Sequence, residues 1–376
     1  MKIAVLALWV GFIGAIAARP LAAQGTERIA VKFVVVTDLD VAAKRGRPGV
    51  FQAWVSGEHF GQTFHSPGVD HAIAGDGQGS LAVLVGSGGA AGLQLMALAA
   101  DPRFDFSQAY WLLTGVGFAN PDQLSIGSVA WGTAVVDGDI AYEVDRQDAP
   151  GDWPYGVVPL DGSNMPIDYP APPPGKAGSV LTTLNYGLAK LGFTLSKDLK
   201  LADLPGMQKY RTTFAGYNGA IRPPTILSGA VVGTTRTWHG KVLNQWATDW
   251  TQFWLSADPF LIGDTSDQSA VAALATLGKM GRVDVHRVMV VRGAGAYSVA
   301  APNQAKDDSL AANFAGFDLA AANVFLAGRP IFHEITGHWD RYAHEAPEDY
   351  RRPEKPHRNK RGAVEPDGDV SGSAAR

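Results

Sequence analysis

Two glycine-rich segments follow apolar runs and are the first sign of a ligand site. Leu81–Val85 runs into Gly86-Ser87-Gly88-Gly89, and Tyr110–Leu113 runs into Thr114-Gly115-Val116-Gly117. Between them Ala90–Ala100 is small and aliphatic, as in a helix that packs on a sheet. The order strand, turn, helix, strand predicts a parallel βαβ unit with both glycine turns at the carboxyl edge of the sheet. Because ligands of open α/β sheets bind at that edge, the two turns are the predicted floor of a site.

A dinucleotide is the first ligand to consider, because residues 86–91 match G-x-G-x-x-A after a strand. That motif also needs an acidic residue at the end of the next strand, ~20 residues further on. Asp101 and Asp105 precede this strand instead, and the strand itself runs into Thr114 and glycines. The pattern therefore gives a dinucleotide site only weak support.

Two hydrolytic motifs also fail on spacing. Ser87 lies in VGSGG, one residue out of register with the G-x-S-x-G elbow of the α/β-hydrolases. His333 and His338 flank Glu334 but are five positions apart, which on a helix separates them by ~140° where zinc proteases need i, i+4. What remains is backbone N–H groups that suit an anion and aromatic rings that suit a flat base or a sugar. The motifs indicate a small, partly anionic or aromatic ligand.

The elements that must position these turns alternate between strand and helix patterns. They predict one α/β domain with a central mixed, mostly parallel sheet flanked by helices. The predicted strands besides those above are Ile29–Thr37, Ser125–Val136, Pro223–Val232 and Val283–Val291. The predicted helices are Leu181–Leu191, a segment around Asp198–Arg211, Asn244–Trp254, Ser269–Leu277 and Ala311–Leu326. Within Asn244–Trp254, three tryptophans at i, i+4 and i+8 form a stripe that is typical of a helix face buried in the core.

Composition excludes several classes of function. The 376 residues are 46% apolar, which is enough to bury a full core. A net charge of -4 with a pI near 6.1 provides no basic surface for nucleic acid. The chain has no cysteine, which excludes disulfides, thiolate metal sites and a cysteine nucleophile.

The two ends and one internal segment look different from the rest. Residues 1–23 combine Lys2, an apolar core and small residues before Gln24, which predicts a secretory signal and a periplasmic or secreted protein. No later segment has 18 uninterrupted apolar residues, so the mature chain is expected not to span a membrane. Residues 24–345 form the predicted domain, with a Pro/Gly-rich surface insertion at residues 148–176. Residues 346–376 are charged and poor in aliphatics, which predicts a disordered tail.

Four stretches of the chain resemble the purine nucleoside permease family, over roughly residues 28–345. They are AADPRFDFSQAYWLLTGVGFANPDQLSIGSVAWGTAVVDGDIAYEVDRQDAPGDWPYG, DLPGMQKYRTTF, WHGKVLNQWATDW and GRVDVHRVMVVRGAGAYS. The family is similar to the nucleoside phosphorylases at a distance, so the resemblance implies a nucleoside phosphorylase-like fold. It also implies a purine nucleoside as ligand and no cofactor, with inorganic phosphate as a co-substrate of phosphorolysis. Self-association into a homo-oligomer is expected by analogy.

The resemblance also implies site residues, while no residue is assigned as catalytic and no metal is expected. Thr114, Gly115 and Gly117 would line the phosphate and base region. Asp267 would accept bonds from two vicinal sugar hydroxyls, and Gln268 stands where the family usually has a second acid. Arg292 and Tyr297 match the family pattern after the last long strand, whereas its polar Ser-Asn pair is replaced here by Gly295-Ala296.

Two functions follow as alternatives. The first is an exported, soluble protein that binds purine nucleosides and cleaves their N-glycosidic bond by phosphorolysis or hydrolysis. The second is a non-catalytic nucleoside-binding component that supports a separate transporter, which the change to Gly295-Ala296 favours. Structural roles also remain open, since Asp267 could cap the following helix and Arg292 could pair with Asp284 or another acid.

Overall fold

The computed structural model describes residues 28–38, 49–149, 153–159, 180–255, 258–304 and 315–348. The predicted signal at residues 1–23, most of the insertion at 148–176 and the tail from residue 349 lie outside these described residues. The strands are β1 Ile29–Ala30, β2 Phe33–Thr37, β3 Gln62–Phe64, β4 Ile73–Gly75, β5 Ser80–Leu84, β6 Phe104–Asp105, β7 Tyr110–Ala119, β8 Val129–Asp137, β9 Ala141–Glu143, β10 Val157–Pro159, β11 Leu181–Thr183, β12 Ile226–Gly233, β13 Phe260–Asp264 and β14 Val288–Tyr297. The helices are α1 Val50–Gly57, α2 Gly89–Ala100, α3 Tyr186–Ser196, α4 Pro205–Thr212, α5 Lys241–Trp254, α6 Asp267–Lys279, α7 Phe317–Gly337 and α8 Trp339–Tyr342.

A mixed sheet organises the fold. Within the described residues it contains ten strands in the order β11-β8-β12-β13-β7-β2-β5-β4-β3, and β14 pairs with both β7 and β8. Its two longest ladders, β7 with β14 and β8 with β12, are parallel, while β7 with β13 and β8 with β14 are antiparallel. Because β14 joins β7 to β8, strands β8, β12, β13, β7 and β14 form a closed ring. The predicted α/β class with a central mixed sheet is confirmed.

Helices cover both faces of the sheet, as side-chain alternation along β2 requires. Val34 and Val36 face a core cluster completed by α2 and α6. Phe33 and Val35 face the opposite cluster, completed by α1, α3 and α7. A strand buried on both faces reads as a continuous apolar run, which is the pattern from which this strand was predicted.

The tryptophan stripe packs in a third cluster. Trp246, Trp250 and Trp254 lie on α5, and their exposed fractions are 0%, 0% and 3%. They pack with Val232 and Phe260, which come from β12 and β13. The prediction that this stripe is core is confirmed.

Several predicted boundaries are wrong, and the largest error concerns the second glycine turn. Thr114–Gly117 is not a turn, because β7 continues through it to Ala119. Likewise Arg292–Tyr297 is the second half of β14 and not a turn after a strand. Glycine in a strand permits close approach of another backbone, and a Cβ on Gly117 would overlap the carbonyl oxygen of Gly263 in β13. The glycines therefore mark tight packing within the closed ring of strands.

Smaller errors occur at three helices. Leu181–Leu191 begins as strand β11, and the helix starts only after Asn185, whose side chain accepts a bond from Leu188 N. The helix predicted around Asp198–Arg211 is limited to α4, which begins with Pro205. The helix predicted at Ala311–Leu326 ends too early, since α7 runs from Phe317 to Gly337, while residues 311–314 lie outside the described residues.

Candidate functional site

A buried cluster of one arginine and three aspartates forms where β2, β7, β13 and β14 meet. Asp38 follows the last residue of β2, and Asp264 is the last residue of β13. Asp267 begins α6, and Arg292 lies in the middle of β14. The four residues are at most 4% exposed. Local sequence thus places an acid at each of two strand ends, and the ladder register brings them to one arginine.

Arg292 bonds to all three carboxylates. Its Nε lies 3.0 Å from Asp267 Oδ2 and its Nη2 lies 2.6 Å from Asp267 Oδ1, which is a bidentate pair. Its Nη1 lies 2.5 Å from Asp38 Oδ2 and 3.2 Å from Asp264 Oδ2. The single positive charge of Arg292 is therefore shared by three buried carboxyl groups.

Burial and hydrogen bonding give the three acids different proton affinities. Burial raises the pKa of Asp38 to about 7 against the opposing effect of Arg292, and it raises the pKa of Asp267 to about 7 in the same way. Burial acts on Asp264 too, but Arg292 and the donors around its carboxylate hold its pKa below the ordinary value. Those donors include Ser266 N and Asp267 N, each 2.7 Å from Asp264 Oδ1. Asp264 therefore has the lowest pKa of the three acids, and its carboxylate accepts backbone N–H bonds at the start of α6.

Gly115 is required by this cluster. It lies opposite Arg292 in the ladder between β7 and β14. A Cβ there would overlap Arg292 Nη1 and Asp38 Oδ1. The close approach of charged side chains to the β7 backbone explains why this position is glycine.

A cavity of about 140 Å³ adjoins the cluster through Asp264. Its walls come from the β5–α2 connection, β7, β13, β14, the segment after β12 and the first residue of α7. The lining residues are Ser87, Val116, Gly117, Phe118, Thr237, Asp264, Thr265, Gly295, Ala296 and Phe317. Among these described lining residues only Asp264 is ionisable, and Phe118 and Phe317 supply aromatic surface.

The structure distributes the sequence-predicted site residues over three environments. Gly117 lines the cavity, whereas Gly115, Asp267 and Arg292 belong to the buried cluster behind it. Thr114 is fully buried beside the cluster, and its Oγ1 has no hydrogen-bond partner within the described part of the chain. Both carboxylate oxygens of Asp267 accept hydrogen bonds from Arg292. This is the structural pairing with an acid that the sequence analysis left open as an alternative role for Arg292.

Gln268 and Tyr297 have protein partners. Gln268 Nε2 lies 3.3 Å from Asp139 Oδ2, while its Oε1 is buried without a partner in the described residues. The Tyr297 hydroxyl donates to Ala220 O at 3.0 Å and accepts from Ile126 N at 3.2 Å. Both side chains are therefore held by hydrogen bonds to other parts of the protein.

Several residues of the buried cluster and of the cavity wall were not selected as site residues from the sequence. Asp38 and Asp264 could have been found, because each acid comes directly at the end of an apolar strand, where α/β sheets place ligand-contacting groups. Phe118, Thr237 and Phe317 carry no comparable local signal. Within the described residues, no group of three or more acidic, histidine or cysteine side chains is arranged to hold a metal ion.

Comparison with known proteins identifies the family. The model of the purine nucleoside permease (NUP) family matches residues 30–347. The chain belongs to the purine nucleoside permease family. Two relatives are a "Probable purine nucleoside permease" of Schizosaccharomyces pombe, 27% identical over 254 residues, and a "Purine nucleoside permease" of Candida albicans, 24% identical over 253 residues. The alignments cover 65% and 66% of this chain, 72% of the S. pombe protein and 61% of the C. albicans protein, less than two thirds of the latter.

Solved structures show a partial likeness. A 5′-methylthioadenosine/S-adenosylhomocysteine nucleosidase from Neisseria meningitidis is similar with a TM-score of 0.48 and 12% identity, over 81% of this chain and 99% of that chain. A futalosine hydrolase of Helicobacter pylori is similar with a TM-score of 0.47 and 10% identity, over 81% and 98% of the two chains. At these values no residue role is transferred from either protein.

Two further observations concern this member of the purine nucleoside permease family. None of the helices in the described ranges is long and apolar enough to cross a membrane. Gly295 and Ala296, the positions at which the resemblance implied a polar pair, line the cavity directly. The departure from the family pattern therefore lies at the candidate site.

Proposed function

We propose that this protein binds purine nucleosides in the cavity beside Asp264 and cleaves their N-glycosidic bond there. The observation that supports this best is the buried carboxylate of Asp264, which accepts two backbone N–H bonds and lies in the wall of a small cavity that also presents Phe118 and Phe317. The family supports a nucleoside as the ligand. Cleavage itself is a proposal from the chemistry of the wall.

Asp264 suits the sugar end of the ligand. Breaking a glycosidic bond develops positive charge on the sugar ring in an oxocarbenium-like transition state. A fixed carboxylate that is 2% exposed can stabilise that charge without reorganising solvent. Its own orientation is set by the backbone N–H groups of Ser266 and Asp267.

The aromatic wall suits the base end. Phe118 is held edge-on against Trp238, with ring centroids 4.8 Å apart, so its position does not depend on the ligand. Ligand sites usually enclose ~300–1,000 Å³, so a cavity of about 140 Å³ encloses only part of a nucleoside. We propose that one ring lies inside and the remainder extends outward.

A second function, nucleoside binding without cleavage, is favoured by one observation. The wall at Gly295 and Ala296 offers no polar side chain, and a departing purine leaves faster when a positioned donor protonates it. Binding by the other walls would then proceed without turnover.

Incubation of the purified protein with inosine or adenosine, with and without phosphate, distinguishes the two functions. Free base detected by chromatography only with phosphate indicates phosphorolysis, and base released without phosphate indicates hydrolysis. The Asp264→Asn variant should release base ~100-fold or more slowly. Asp198→Asn, whose side chain is 84% exposed, is the matched control and should behave as the unmodified protein. Binding without any base release would support the second function.

We also propose that the protein is exported, on the basis of the signal-like residues 1–23. N-terminal sequencing of protein recovered from the periplasm or medium would show a start near residue 24. Full-length protein confined to the cytoplasm would contradict this proposal.

A further inference from the structure

Three polar side chains are buried together where β7 and β14 end against α5. Asn120 follows β7, Ser298 follows β14, and Asn244 lies near the start of α5. The three residues are 3%, 0% and 6% exposed. Asn244 bonds to both of the others, since its Oδ1 accepts from Ser298 Oγ at 2.6 Å and its Nδ2 donates to Asn120 Oδ1 at 3.3 Å. One amide therefore ties the helix to the ends of both strands.

This group of polar residues adjoins the wall of the cavity. Phe118, which lines the cavity, comes two positions before Asn120, and Ala296, which also lines it, comes two positions before Ser298. The two lining residues are opposite each other in the ladder between β7 and β14, so they form adjacent parts of one wall. A change in the way the two strands end therefore changes the shape of this wall.

The ladder is interrupted just before this part of the wall. Its register shifts between Ala294 and Ala296, so Gly295 is an extra residue on β14, as in a β-bulge. Beyond this shift the ladder continues for two residue pairs, of which Ala296 with Phe118 is the first. Because a bulge disrupts pairing locally and redirects side chains, support from outside the two strands matters most at this point.

The hydrogen bonds around Asn244 favour a role in geometry over a role in stability. Without its amide, Ser298 Oγ still donates to Ala119 O at 3.0 Å, and Asn120 Oδ1 still accepts from Asp122 N at 3.2 Å. Neither partner is left as a buried unsatisfied group, which is the main cost of removing a buried polar side chain. What the amide adds is a fixed position of α5 relative to the two strand ends.

We propose that Asn244 is a positioning residue of the cavity, whose amide fixes the ends of β7 and β14 and thereby the wall formed by Phe118 and Ala296. This inference rests on the proposed function of the cavity. Dispersion attraction falls steeply with distance, and a gap of ~0.5–1 Å forfeits about a quarter to a half of it. A wall displaced by this amount should weaken nucleoside binding while the protein stays folded.

Inosine affinity measured by calorimetry tests this role. Asn244→Ala, which can form neither hydrogen bond, should bind inosine about tenfold more weakly. Urea unfolding in the same buffer should show that the variant is folded, because a loss of stability alone leaves the Kd of folded protein unchanged. Gln245→Ala is the matched control and should bind normally, since Gln245 is exposed on the same helix and bonds to Asp249. Unchanged affinity in folded Asn244→Ala would overturn the inference.

A second substitution tests whether the effect passes through the hydrogen bond to Ser298. Ser298→Ala removes the donor to Asn244 Oδ1 and should also weaken inosine binding. Because residues that act through one contact are not additive, the double variant should bind no more weakly than Asn244→Ala. Losses that add in the double variant would overturn the inference. If Asn244→Ala does not fold, Ser298→Ala decides, and its binding inosine as well as Gln245→Ala does would overturn the inference.

NMR spectroscopy of the ligand-free protein separates this inference from the proposed function. The methyl resonance of Ala296, assigned by its loss in Ala296→Gly, is sensitive to the ring of Phe118, which is opposite in the ladder. It should shift in Asn244→Ala and Ser298→Ala but not in Gln245→Ala. An unchanged resonance in the first two variants would mean that the wall has not moved, which would overturn the inference. If the unmodified protein binds no inosine, the proposed function fails, and the NMR result alone decides whether Asn244 positions the wall.

Discussion

Arg292 Nη1 lies 2.5 Å from Asp38 Oδ2, although the two residues are 254 positions apart. The contact depends on β7, which pairs with β2 on one side and with β14 on the other. The register places Thr37 and Val291 both opposite Thr114, so the next residues of β2 and β14 meet beside Gly115. The contact between Arg292 and Asp38 can therefore form only when β2, β7 and β14 pair in this register.

Gly115→Ala should destabilise the protein. The added methyl group would overlap Arg292 Nη1 and Asp38 Oδ1, and Arg292 is fixed by its other carboxylate partners. Overpacking of this kind costs about 1–3 kcal/mol, which urea unfolding would measure. Gly89→Ala is the control, because a Cβ at the first residue of α2 has nothing within 4 Å. Equal stability of the two variants would contradict the packing described at Gly115.

Arg292→Met should be more damaging, because it leaves three buried carboxyl groups without their shared cation. Removal of one partner from a buried ion pair costs about 3–5 kcal/mol. The loss in free energy of unfolding should be smaller at low pH, where Asp38 and Asp267 are neutral. Arg236→Met is the matched control, since Arg236 is 40% exposed and pairs with Asp139 at the surface. Its cost should stay below about 1 kcal/mol.

Most of the long strands and helices were predictable because apolar periodicity is a local property, although α1 and β13 were not predicted. The stripe of Trp246, Trp250 and Trp254 is an example, since spacing alone identifies the buried face of α5. The continuation of β7 and β14 through their glycines was not predictable, because glycine more often marks a turn. Asp267 and Arg292 were both selected from sequence, but their mutual pairing depends on ladder register, for which the sequence contains no local signal.

The free energy of unfolding should fall as pH rises from about 4 toward 7 through the titration of Asp38 and Asp267. Both have a folded-state pKa raised from 3.8 to about 7 by burial, so in this window the folded state holds protons that the unfolded state has lost. Stability decreases with pH wherever the folded state binds more protons, and it should level off above the folded-state pKa. Asp101 has the opposite shift, but its contribution is lost only as pH falls below 3.8. Urea unfolding at several pH values would measure the slope, which Asp38→Asn should reduce; a rise in stability over this window would contradict the assignment.

Trp238 should report occupation of the cavity. Its ring lies 4.8 Å from that of Phe118, centroid to centroid, and Phe118 lines the cavity wall. Addition of a purine nucleoside should therefore change tryptophan emission, and Trp238→Phe should abolish most of that change. Trp254→Phe, a substitution in the core stripe of α5, should retain it. A full response in Trp238→Phe would place the ligand away from Phe118.

Ala296→Asn should increase base release if nucleosides bind with the purine near β14. Ala296 lines the cavity, and its methyl group can neither donate a proton nor accept a hydrogen bond. An asparagine amide at this position can donate to the purine nitrogen that gains electron density as the glycosidic bond breaks. One hydrogen bond of about 1.4 kcal/mol formed only in the transition state raises the rate about tenfold. Ala296→Leu fills similar space without a donor and serves as the control, so acceleration by both variants would assign the effect to packing. Acceleration by Ala296→Asn alone would show that the missing polar side chain limits cleavage, and no acceleration by either would place the departing base elsewhere in the cavity.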